Sequence, residues 1–379
     1  MADAAVLYHA DSEWSGGDTM LFQKPVRALM ESQLDLDVIP ADVFTEKNYK
    51  VADGKLEVNG ITYGSLILPY MEYLPETVEH LVITAAKEGL RIYLINELPE
   101  KTSHNNQIQD AFIESVTVIG LDAIAKQIRK TQKQKMIFSG THPFLRASCY
   151  KQKDGEVYMF FNESPFEIVD TYVKFEDCTV SQLRRYDGLT NKIHSPSMKN
   201  GSLHLVLEPG QAEVFIKDKV HSKAQATPSL KVVEEQTIHS DWRVSKSKAS
   251  TYPVFEEVRT ISKSEKLPNM NGREGFPRFT GTFSYEGKLK MEVVKDAEYS
   301  LKLPKVGDCA EIWVNDSYAG MVIGSPYRVD VTQLLKVGEN KLKIEVTNTL
   351  VWQMHDGQST HMQLAPTGMT QPPILEVWA

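Results

Sequence analysis

Residues Cys309–Leu350 read CAEIWVNDSYAGMVIGSPYRVDVTQLLKVGENKLKIEVTNTL, and they decide the fold class of the last third of the chain. In Lys341–Thr347 apolar residues alternate strictly with polar ones, and Tyr327–Val331 repeats this alternation. A period of two predicts half-buried strands of an antiparallel sheet. Asn315-Asp316 and Gly338–Asn340 carry the residue types that predict turns between such strands. The stretch therefore predicts a β-sandwich.

The strand pattern extends outward from this stretch over residues 230–379. The further predicted strands are Lys231–Val233, Trp242–Ser245, Glu256–Ile261, Phe279–Tyr285, Leu289–Val294, Tyr299–Leu303, Ala310–Asn315, Tyr318–Ile323 and Pro372–Val377. A strand ending in WVN, a hairpin, a PYRVDVT segment and then GENKLKIEVTN follow one another. That order resembles the sugar-binding jelly roll of family 2 glycoside hydrolases. The resemblance implies a galactose-binding-like jelly roll and a carbohydrate context.

Length and composition limit the class of protein. At 379 residues the chain is too long for one core and suits two or three domains. Its net charge of −8 argues against nucleic-acid binding, because phosphate contacts need a clustered cationic surface. Its three cysteines, Cys149, Cys178 and Cys309, form no close pair, which gives neither a disulfide framework nor a zinc-site spacing. Without a signal peptide or an apolar run of about 18 residues, we expect a cytoplasmic protein with no membrane contact.

Strand and helix patterns alternate in residues 1–132, which predicts a parallel sheet covered on both faces. Asp53-Gly54 and Asn59-Gly60 predict a hairpin inserted into this domain. The predicted strands are Ala4–Tyr8, Leu36–Pro40, Ser65–Pro69 and Leu90–Ile95, and the predicted helices are Met20–Gln33, Pro75–Glu88 and Leu121–Lys130.

The arrangement of this first domain resembles the class I glutamine-amidotransferase-like domain that lies behind the catalytic barrel of several glycoside hydrolases. An amidotransferase needs an activated cysteine on a tight, Gly-flanked turn. The three cysteines stand in SCY, DCT and DCA, outside such a turn and outside this domain. Amidotransferase chemistry is therefore not expected.

The polar loop His9–Asp18 follows the first strand and holds candidate site residues. His9, Asp11 and Glu13 alternate along it, and Trp14 comes next. Ligands of open α/β sheets bind beyond the carboxyl ends of the strands, which is where this loop must lie. An aromatic ring beside carboxylates suits a sugar, whose C–H groups stack on the ring and whose hydroxyls donate to the acids. Three interpretations stay open. The loop contacts a sugar, it binds a metal, or it is a structural loop whose acids cap the next helix and whose Trp packs on a neighbouring domain.

Residues 133–222 predict a small β-sandwich. Ala147–Lys151 and Glu156–Asn162 flank the turn Asp154-Gly155, and Glu208–Gly210 is a further turn. The other predicted strands are Phe166–Phe175, Leu203–Leu207 and Ala212–Ile216, and four polar residues are assigned to a surface loop, namely Arg184, Arg185, Asp187 and His194. The pattern resembles the small β-sandwich that follows the barrel in many glycosidases. His221–Ser229, polar and with a proline, is the predicted linker to the last domain.

A second set of candidate residues lies between the last strands. Trp352, His355, Asp356 and His361 cluster in one predicted loop and could contact a sugar. The two histidines with one aspartate also look like a metal pair, yet a metal site needs at least three converging ligands. A purely structural loop is the third alternative. No cofactor is predicted, and a requirement for calcium stays open.

In order along the chain, the three domains resemble the C-terminal part of large barrel glycosidases, nearest to glycoside hydrolase family 106, the α-L-rhamnosidase type. The (β/α)₈ barrel of such enzymes, about 250 residues or more, is missing. No pair of carboxyl groups stands out as the acid and the nucleophile or base that glycoside hydrolysis uses. No catalytic residue is therefore predicted.

Three hypotheses follow for the function. The chain is a non-catalytic portion or subunit of a glycoside hydrolase that acts on plant or microbial glycans together with a barrel partner. Alternatively, it is a free-standing carbohydrate-binding or scaffold protein. In the third hypothesis it is a glycosidase with an unrecognised site. The implied partners are a carbohydrate or glycoside and a barrel domain or subunit, and self-association remains open.

Overall fold

The computed structural model describes residues 2–46, 48–153, 155–176, 183–189, 191–218, 230–292, 297–354, 364 and 366–379. The chain divides into two compact units, Met1–Thr227 and Pro228–Ala379. Most of the regular structure in both units is β-strand, with few helices. Among the helices of the described residues, none is long and apolar enough to cross a membrane.

The first unit opens with a layered α/β arrangement. Its elements are β1 (Ala4–Tyr8), α1 (Ala10–Trp14), α2 (Gln23–Met30), β2 (Leu36–Pro40), α3 (Asp42–Thr45), β3 (Tyr49–Ala52), β4 (Lys55–Val58), β5 (Ile61–Tyr63), β6 (Ser65–Leu68), β7 (Tyr73–Leu74), α4 (Glu76–Lys87), β8 (Arg91–Ile95), β9 (Lys101–Thr102), α5 (Asp110–Ser115), β10 (Thr117–Ile119) and α6 (Ile124–Thr131). Five strands form one parallel sheet in the order β10-β8-β6-β1-β2.

Both faces of this parallel sheet are covered, as the sequence predicts. One face packs against Leu29 of α2 and Ile128 of α6. The other face packs against Leu81 of α4 and Phe112 of α5. Strands covered on both sides are apolar along their whole length, which explains the continuous run Ala4–Leu7.

Several predicted bounds in this part are corrected by the structure. The predicted loop after β1 contains the helix α1, in which the Glu13 N–H donates to the His9 carbonyl at 3.1 Å. The inserted hairpin is a three-stranded meander, β3-β4-β5, and its two turns hold Asp53 and Asn59 at positive φ. The sequence pattern does not predict the short helix α5, because six residues are too few to show a helical period.

The rest of the first unit is a pair of antiparallel sheets. Its strands are β11 (Met136–Phe138), β12 (Leu145–Lys151), β13 (Gly155–Asn162), β14 (Val169–Phe175), β15 (Leu183–Asp187), β16 (Lys192–His194), β17 (Met198–Lys199), β18 (Ser202–Leu207) and β19 (Ala212–Asp218). The sheet orders are β11-β14-β18-β17 and β12-β13-β19-β15-β16. Tyr158, Phe160, Val173, Leu205 and Phe215 belong to one core between them.

The prediction of a surface loop that contains Arg184 and Arg185 is wrong. Arg184, Arg185 and Asp187 lie in β15, and His194 lies in β16. The Arg185 guanidinium donates two hydrogen bonds to the Glu213 carboxylate, at 2.5 and 2.7 Å. Charged residues in a strand hide its alternation, so sequence pattern alone assigned this segment to a loop.

A polar cluster joins the α/β layers to the β layers within this unit. The Gln33 amide donates to the His142 carbonyl at 2.6 Å, and the Asp35 carboxylate accepts the Cys149 N–H at 3.4 Å. A cavity of about 10 Å³, the size of one water, lies between Asp3, Asp35, Lys135 and Cys149. Burial raises the pKa of Asp35 to about 6.

The second unit is built from two larger antiparallel sheets. Its elements are β20 (Val232–Thr237), β21 (Trp242–Lys248), β22 (Glu256–Ile261), β23 (Gly281–Met291), β24 (Glu298–Lys302), β25 (Val306–Gly307), β26 (Cys309–Val314), β27 (Ser317–Val322), β28 (Arg328–Asp330), β29 (Gly338–Thr347), α7 (Val351–Met354), β30 (Gly368–Met369) and β31 (Ile374–Trp378). The sheet orders are β22-β21-β23-β29-β26-β27 and β20-β31-β24-β28. Side chains of both sheets share one core, for example Phe283, Ile344, Leu301 and Leu375.

The alternation in Cys309–Leu350 forms strands as predicted, with one correction inside this stretch and another upstream of it. Asn315 and Asp316 make the turn between β26 and β27, both at positive φ. Gly338–Asn340, predicted as a turn, already belongs to β29 and pairs with β23. Two predicted strands, Phe279–Tyr285 and Leu289–Val294, correspond to the single strand β23, while residues 293 and 294 lie outside the described residues.

Candidate functional site

A cleft of about 230 Å³ lies at the carboxyl edge of the parallel sheet. It is lined by residues from three separate segments, namely Asp11, Ser12, Ser15, Tyr73 and Ser103. The first three follow β1, Tyr73 comes after β6, and Ser103 comes after β8. Strands β1 and β6 are neighbours whose helices, α2 and α4, pack on opposite faces of the sheet. This is the topological switch point, where doubly wound sheets bind their ligands.

Backbone and side-chain hydrogen bonds hold the walls of the cleft together. The Ser12 hydroxyl donates to the Tyr73 carbonyl at 2.8 Å, and the Ser103 N–H donates to the Leu74 carbonyl at 2.8 Å. The short strands β7 and β9 pair in parallel and join the segments after β6 and β8. The cleft is therefore a built part of the fold, although each wall comes from a different part of the sequence.

Carboxylates and hydroxyls supply its chemistry. Asp11 is exposed at the lining, and Glu72 next to Tyr73 accepts the Asp18 N–H at 2.7 Å. That backbone hydrogen bond lowers the pKa of Glu72, and a hydrogen bond to Glu72 raises the pKa of the Tyr73 hydroxyl. Acceptors and hydroxyls so arranged can bind a ligand with many hydroxyl groups.

His9 directly precedes α1, is fully buried and is not part of the cleft lining. Burial lowers the pKa of its imidazole to about 4, against the opposing influence of the Met20 and Leu7 backbone. A neutral, enclosed ring is suited to packing under α1. A fully buried ring offers no surface to a ligand.

Glu13 and Trp14 end the helix α1. One carboxylate oxygen of Glu13 is buried without a hydrogen-bond partner among the described residues. The Trp14 side chain is 80% exposed, so nothing in the described structure packs over most of it. An exposed indole one turn from Asp11 offers a flat apolar surface beside a carboxylate.

The second predicted cluster is described only in part. Trp352 lies in the short helix α7 and is half-buried. His355, Asp356 and His361 lie outside the described residues. Within the described ranges, no three His, Cys, Asp or Glu side chains come together as a metal site.

The described cysteines have the surroundings of structural thiols. Cys149 is buried in β12 with the Lys135 ammonium 3.5 Å from its sulfur, and Cys309 is half-buried in β26. Burial raises the pKa of both thiols. Protonated thiols in strands are poor nucleophiles.

Sequence patterns missed Ser12, Ser15, Tyr73 and Ser103. Tyr73 stands four residues after the predicted strand Ser65–Pro69, so the carboxyl-end rule could have named it as a candidate. Ser103 could not be found this way, because its place depends on β9 pairing with β7.

No family model matches the chain. A protein of Formosa agariphila with a provisional beta-glucuronidase name is 33% identical over 97 residues, which are 25% of this chain and 8% of that protein. The structure of a rhamnosidase from Novosphingobium sp. PP1Y matches with a TM-score of 0.60 and 17% identity, over 100% of this chain and 39% of the rhamnosidase. A Bacteroides uniformis beta-glucuronidase matches with a TM-score of 0.29 and 20% identity, over 38% of this chain and 18% of that one.

These neighbours are glycoside hydrolases, and this chain spans only part of each. The fold of the whole chain recurs within 39% of the rhamnosidase chain. The chain is thus glycoside hydrolase-like in fold.

Proposed function

We propose that this chain is a non-catalytic portion or subunit of a glycoside hydrolase, which supplies a scaffold and sugar contacts to a (β/α)₈ catalytic barrel. The observation that carries the proposal is the match of the entire chain to part of a rhamnosidase. The partial similarity to a beta-glucuronidase supports the same class. The substrates of the assembled enzyme are plant or microbial glycans or glycosides.

The finer assignments form part of this proposal. Residues 1–132 are an amidotransferase-like domain without its nucleophile, 133–222 a small β-sandwich, and 230–379 a family 2-like jelly roll. The family 106 type, with α-L-rhamnosides as substrates, is the nearest assignment. All three cysteines lie outside residues 1–132, which supports a first domain without amidotransferase chemistry.

The sugar contacts are assigned to the switch-point cleft. Asp11 accepts hydroxyl hydrogen bonds there, and Trp14 stacks on a sugar ring. Exposure of the Trp14 indole and the position of Asp11 at the lining support these roles. Glu13 lies between them in α1, and its buried carboxylate oxygen without a hydrogen-bond partner among the described residues supports a role as a further acceptor.

Separate substitutions of Trp14 and Asp11 test the sugar contact. We expect Trp14→Ala to weaken binding about 3- to 10-fold, since stacking on an aromatic ring contributes roughly 0.5–1.5 kcal/mol beyond its buried area. Asp11→Asn removes a charged acceptor and should have a similar effect. Ligand-observed NMR titrations with methyl α-L-rhamnopyranoside and methyl β-D-glucuronide measure both.

Phe166→Ala is the matched control, because Phe166 is 81% exposed and lies in the antiparallel part of the same unit. Unchanged sugar affinity in Trp14→Ala, Asp11→Asn and Glu13→Gln would refute the assignment of the sugar contacts to this cleft. Hydrolysis of aryl glycosides by the isolated chain would refute the non-catalytic role. Sugar binding by a chain that forms no complex with any barrel polypeptide and shows no turnover would identify a free-standing carbohydrate-binding protein.

A further inference from the structure

The hydroxyl groups that line the switch-point cleft direct most of their protons at the protein itself. The Ser12 hydroxyl donates to the Tyr73 carbonyl at 2.8 Å, and the Ser15 hydroxyl donates to the Ser12 carbonyl at 2.7 Å. The Tyr73 hydroxyl donates to the carboxylate of Glu72, which can only accept. Three of the four hydroxyls in the lining therefore present only oxygen lone pairs to a ligand.

Carboxylates surround this lining. The three segments that form the cleft, residues 9–18, 70–74 and 96–103, contain six of them, namely Asp11, Glu13, Asp18, Glu72, Glu97 and Glu100. Asp11 belongs to the lining, and one oxygen of Glu13 is buried without a hydrogen-bond partner among the described residues. The hydrogen bond to Glu72 raises the pKa of the Tyr73 hydroxyl, and the charges of Glu72 and Glu100 raise it further. Negative charge therefore acts directly on a group that lines the cleft.

Close packing fixes Glu72 at the wall of the cleft. A Cβ at Gly17 would lie 2.6 Å from the Tyr73 ring and 2.9 Å from the Glu72 carboxylate, so the chain at Gly17 lies against both side chains. The Asp18 N–H donates to the Glu72 carboxylate at 2.7 Å, and the Glu100 N–H donates to the Glu72 carbonyl at 2.9 Å. The backbone of all three segments thus holds Glu72 beside Tyr73.

Basic groups offset little of this negative charge. Lys101 is the one lysine or arginine within the same three segments, and it is exposed. The His9 imidazole is fully buried, and burial lowers its pKa to about 4, so the ring is uncharged at neutral pH. The ring of His104, one residue beyond these segments, lies 3.2 Å from the Glu76 carboxylate, which is its own counter-charge. Six carboxylates against one ammonium leave an excess of negative charge around the cleft.

We propose that the cleft selects uncharged glycosides over anionic ones, and that the carboxylates of Glu72 and Glu100 set this preference. An uncharged sugar has hydroxyl protons to donate, and the lining offers acceptors for them. A carboxylate on the sugar would meet lone pairs and negative charge, so it would lose its hydrogen bonds to water and be repelled. This inference rests on the proposed function and names the class of sugar that the proposed contacts accept.

Two pairs of ligands that differ by a single charge provide the test. Methyl β-D-glucuronide is compared with its uronamide, and 4-carboxyphenyl α-L-rhamnopyranoside is compared with the 4-carbamoylphenyl glycoside. An amide replaces the carboxylate in each pair, so the sugar ring and its hydroxyls stay the same. Ligand-observed NMR titrations of the full chain at neutral pH measure the dissociation constants at about 20 mM and about 300 mM salt, where exposed charges are weakly and strongly screened.

We expect the uncharged member of a pair to bind about five- to tenfold more tightly at low salt and about twofold more tightly at high salt, because salt screens the exposed carboxylates. Glu72→Gln keeps an acceptor for the Asp18 N–H and removes one charge. The double variant Glu72→Gln/Glu100→Gln should lower the low-salt ratio to about twofold. Glu167→Gln is the matched control and should leave the ratio unchanged, because Glu167 is an exposed acid in the antiparallel part of the same unit.

Thermal melting of each variant at the wild-type temperature checks that the fold is kept, and the salt dependence of the wild-type chain needs no variant. Equal affinity for both members of a pair that binds would refute the inference and leave the proposed sugar contact intact. A ratio that neither salt nor the double substitution lowers would show that these carboxylates do not select the ligand, which overturns the proposal. Binding of none of the four glycosides would refute the proposed sugar contact together with this inference.

Discussion

Asp35 is an acid held where its charge is unfavourable. Burial is the main reason that its pKa rises from 3.8 to about 6, and the carboxylate of Asp3 adds to the effect. The hydrogen bond from the Cys149 N–H opposes it, as a backbone donor favours the charged form. In the unfolded chain the same carboxyl group titrates near 3.8. Its folded pKa is therefore the higher one, and this acid makes the protein less stable as pH rises from 3.8 through about 6.

Asp35→Asn should therefore stabilise the protein at neutral pH. The amide oxygen can still accept the Cys149 N–H, while the buried charge is gone. A rise in pKa from 3.8 to about 6 corresponds to about 3 kcal/mol, which we expect as the gain in unfolding free energy at about pH 7.5. The gain should vanish near pH 4, where the carboxyl group is largely protonated in the folded protein. Urea unfolding between about pH 4 and pH 8 measures it, with Asp53→Asn in an exposed turn as control, and a gain that does not depend on pH would contradict burial of the charge as its cause.

At the level of elements, the sequence correctly predicts strands whose burial pattern is visible in their own residues. The strict alternation in Lys341–Thr347 and the apolar run Ala4–Tyr8 both form strands. The first pattern is that of a strand buried on one face, and the second is that of a strand buried on both faces. Strand β23 was predicted as two strands, since Gly287 breaks the apolar pattern. The structure shows why a glycine stands there: a Cβ at this position would lie 2.7 Å from the Trp242 ring. The sequence predicted Asp11 as a candidate but not Tyr73 and Ser103, because the strand order of the sheet brings those two residues to Asp11.

Gly287→Ala tests this packing. The added methyl group must displace the Trp242 ring or the strand, so we expect a loss of about 1–3 kcal/mol in unfolding free energy. Gly324→Ala is the control, because a Cβ there has no heavy atom within 4 Å. Chemical denaturation followed by Trp fluorescence compares the two. Equal stability of both variants would mean that Trp242 moves aside at no cost.

At the scale of the whole molecule, each unit has cores of its own. The core residues of the second unit all lie between Ile238 and Val377. Those of the first unit lie between Ala2 and Phe215. A domain with a complete core can fold alone.

We therefore expect a fragment of residues 228–379 to fold without the rest of the chain. Its core already holds the side chains of both sheets, so excision removes none of that apolar contact. A sigmoidal thermal transition and dispersed amide signals in NMR would show it. A fragment that binds hydrophobic dyes and melts without a transition would show that the second unit depends on the first. Residues 2–218 form the complementary fragment for the same measurements.

The division of the cleft lining among three segments has a consequence for redesigning the cleft. Each lining residue lies after a strand of the parallel sheet whose own side chains belong to the core. Different residues therefore form the core and the lining of the cleft. Replacing Ser15 or Ser103 by larger or charged residues would alter the cleft without touching Leu7, Leu68 or Leu94 beneath it. A library restricted to these positions could be screened for ligand binding while its members keep the same folded framework.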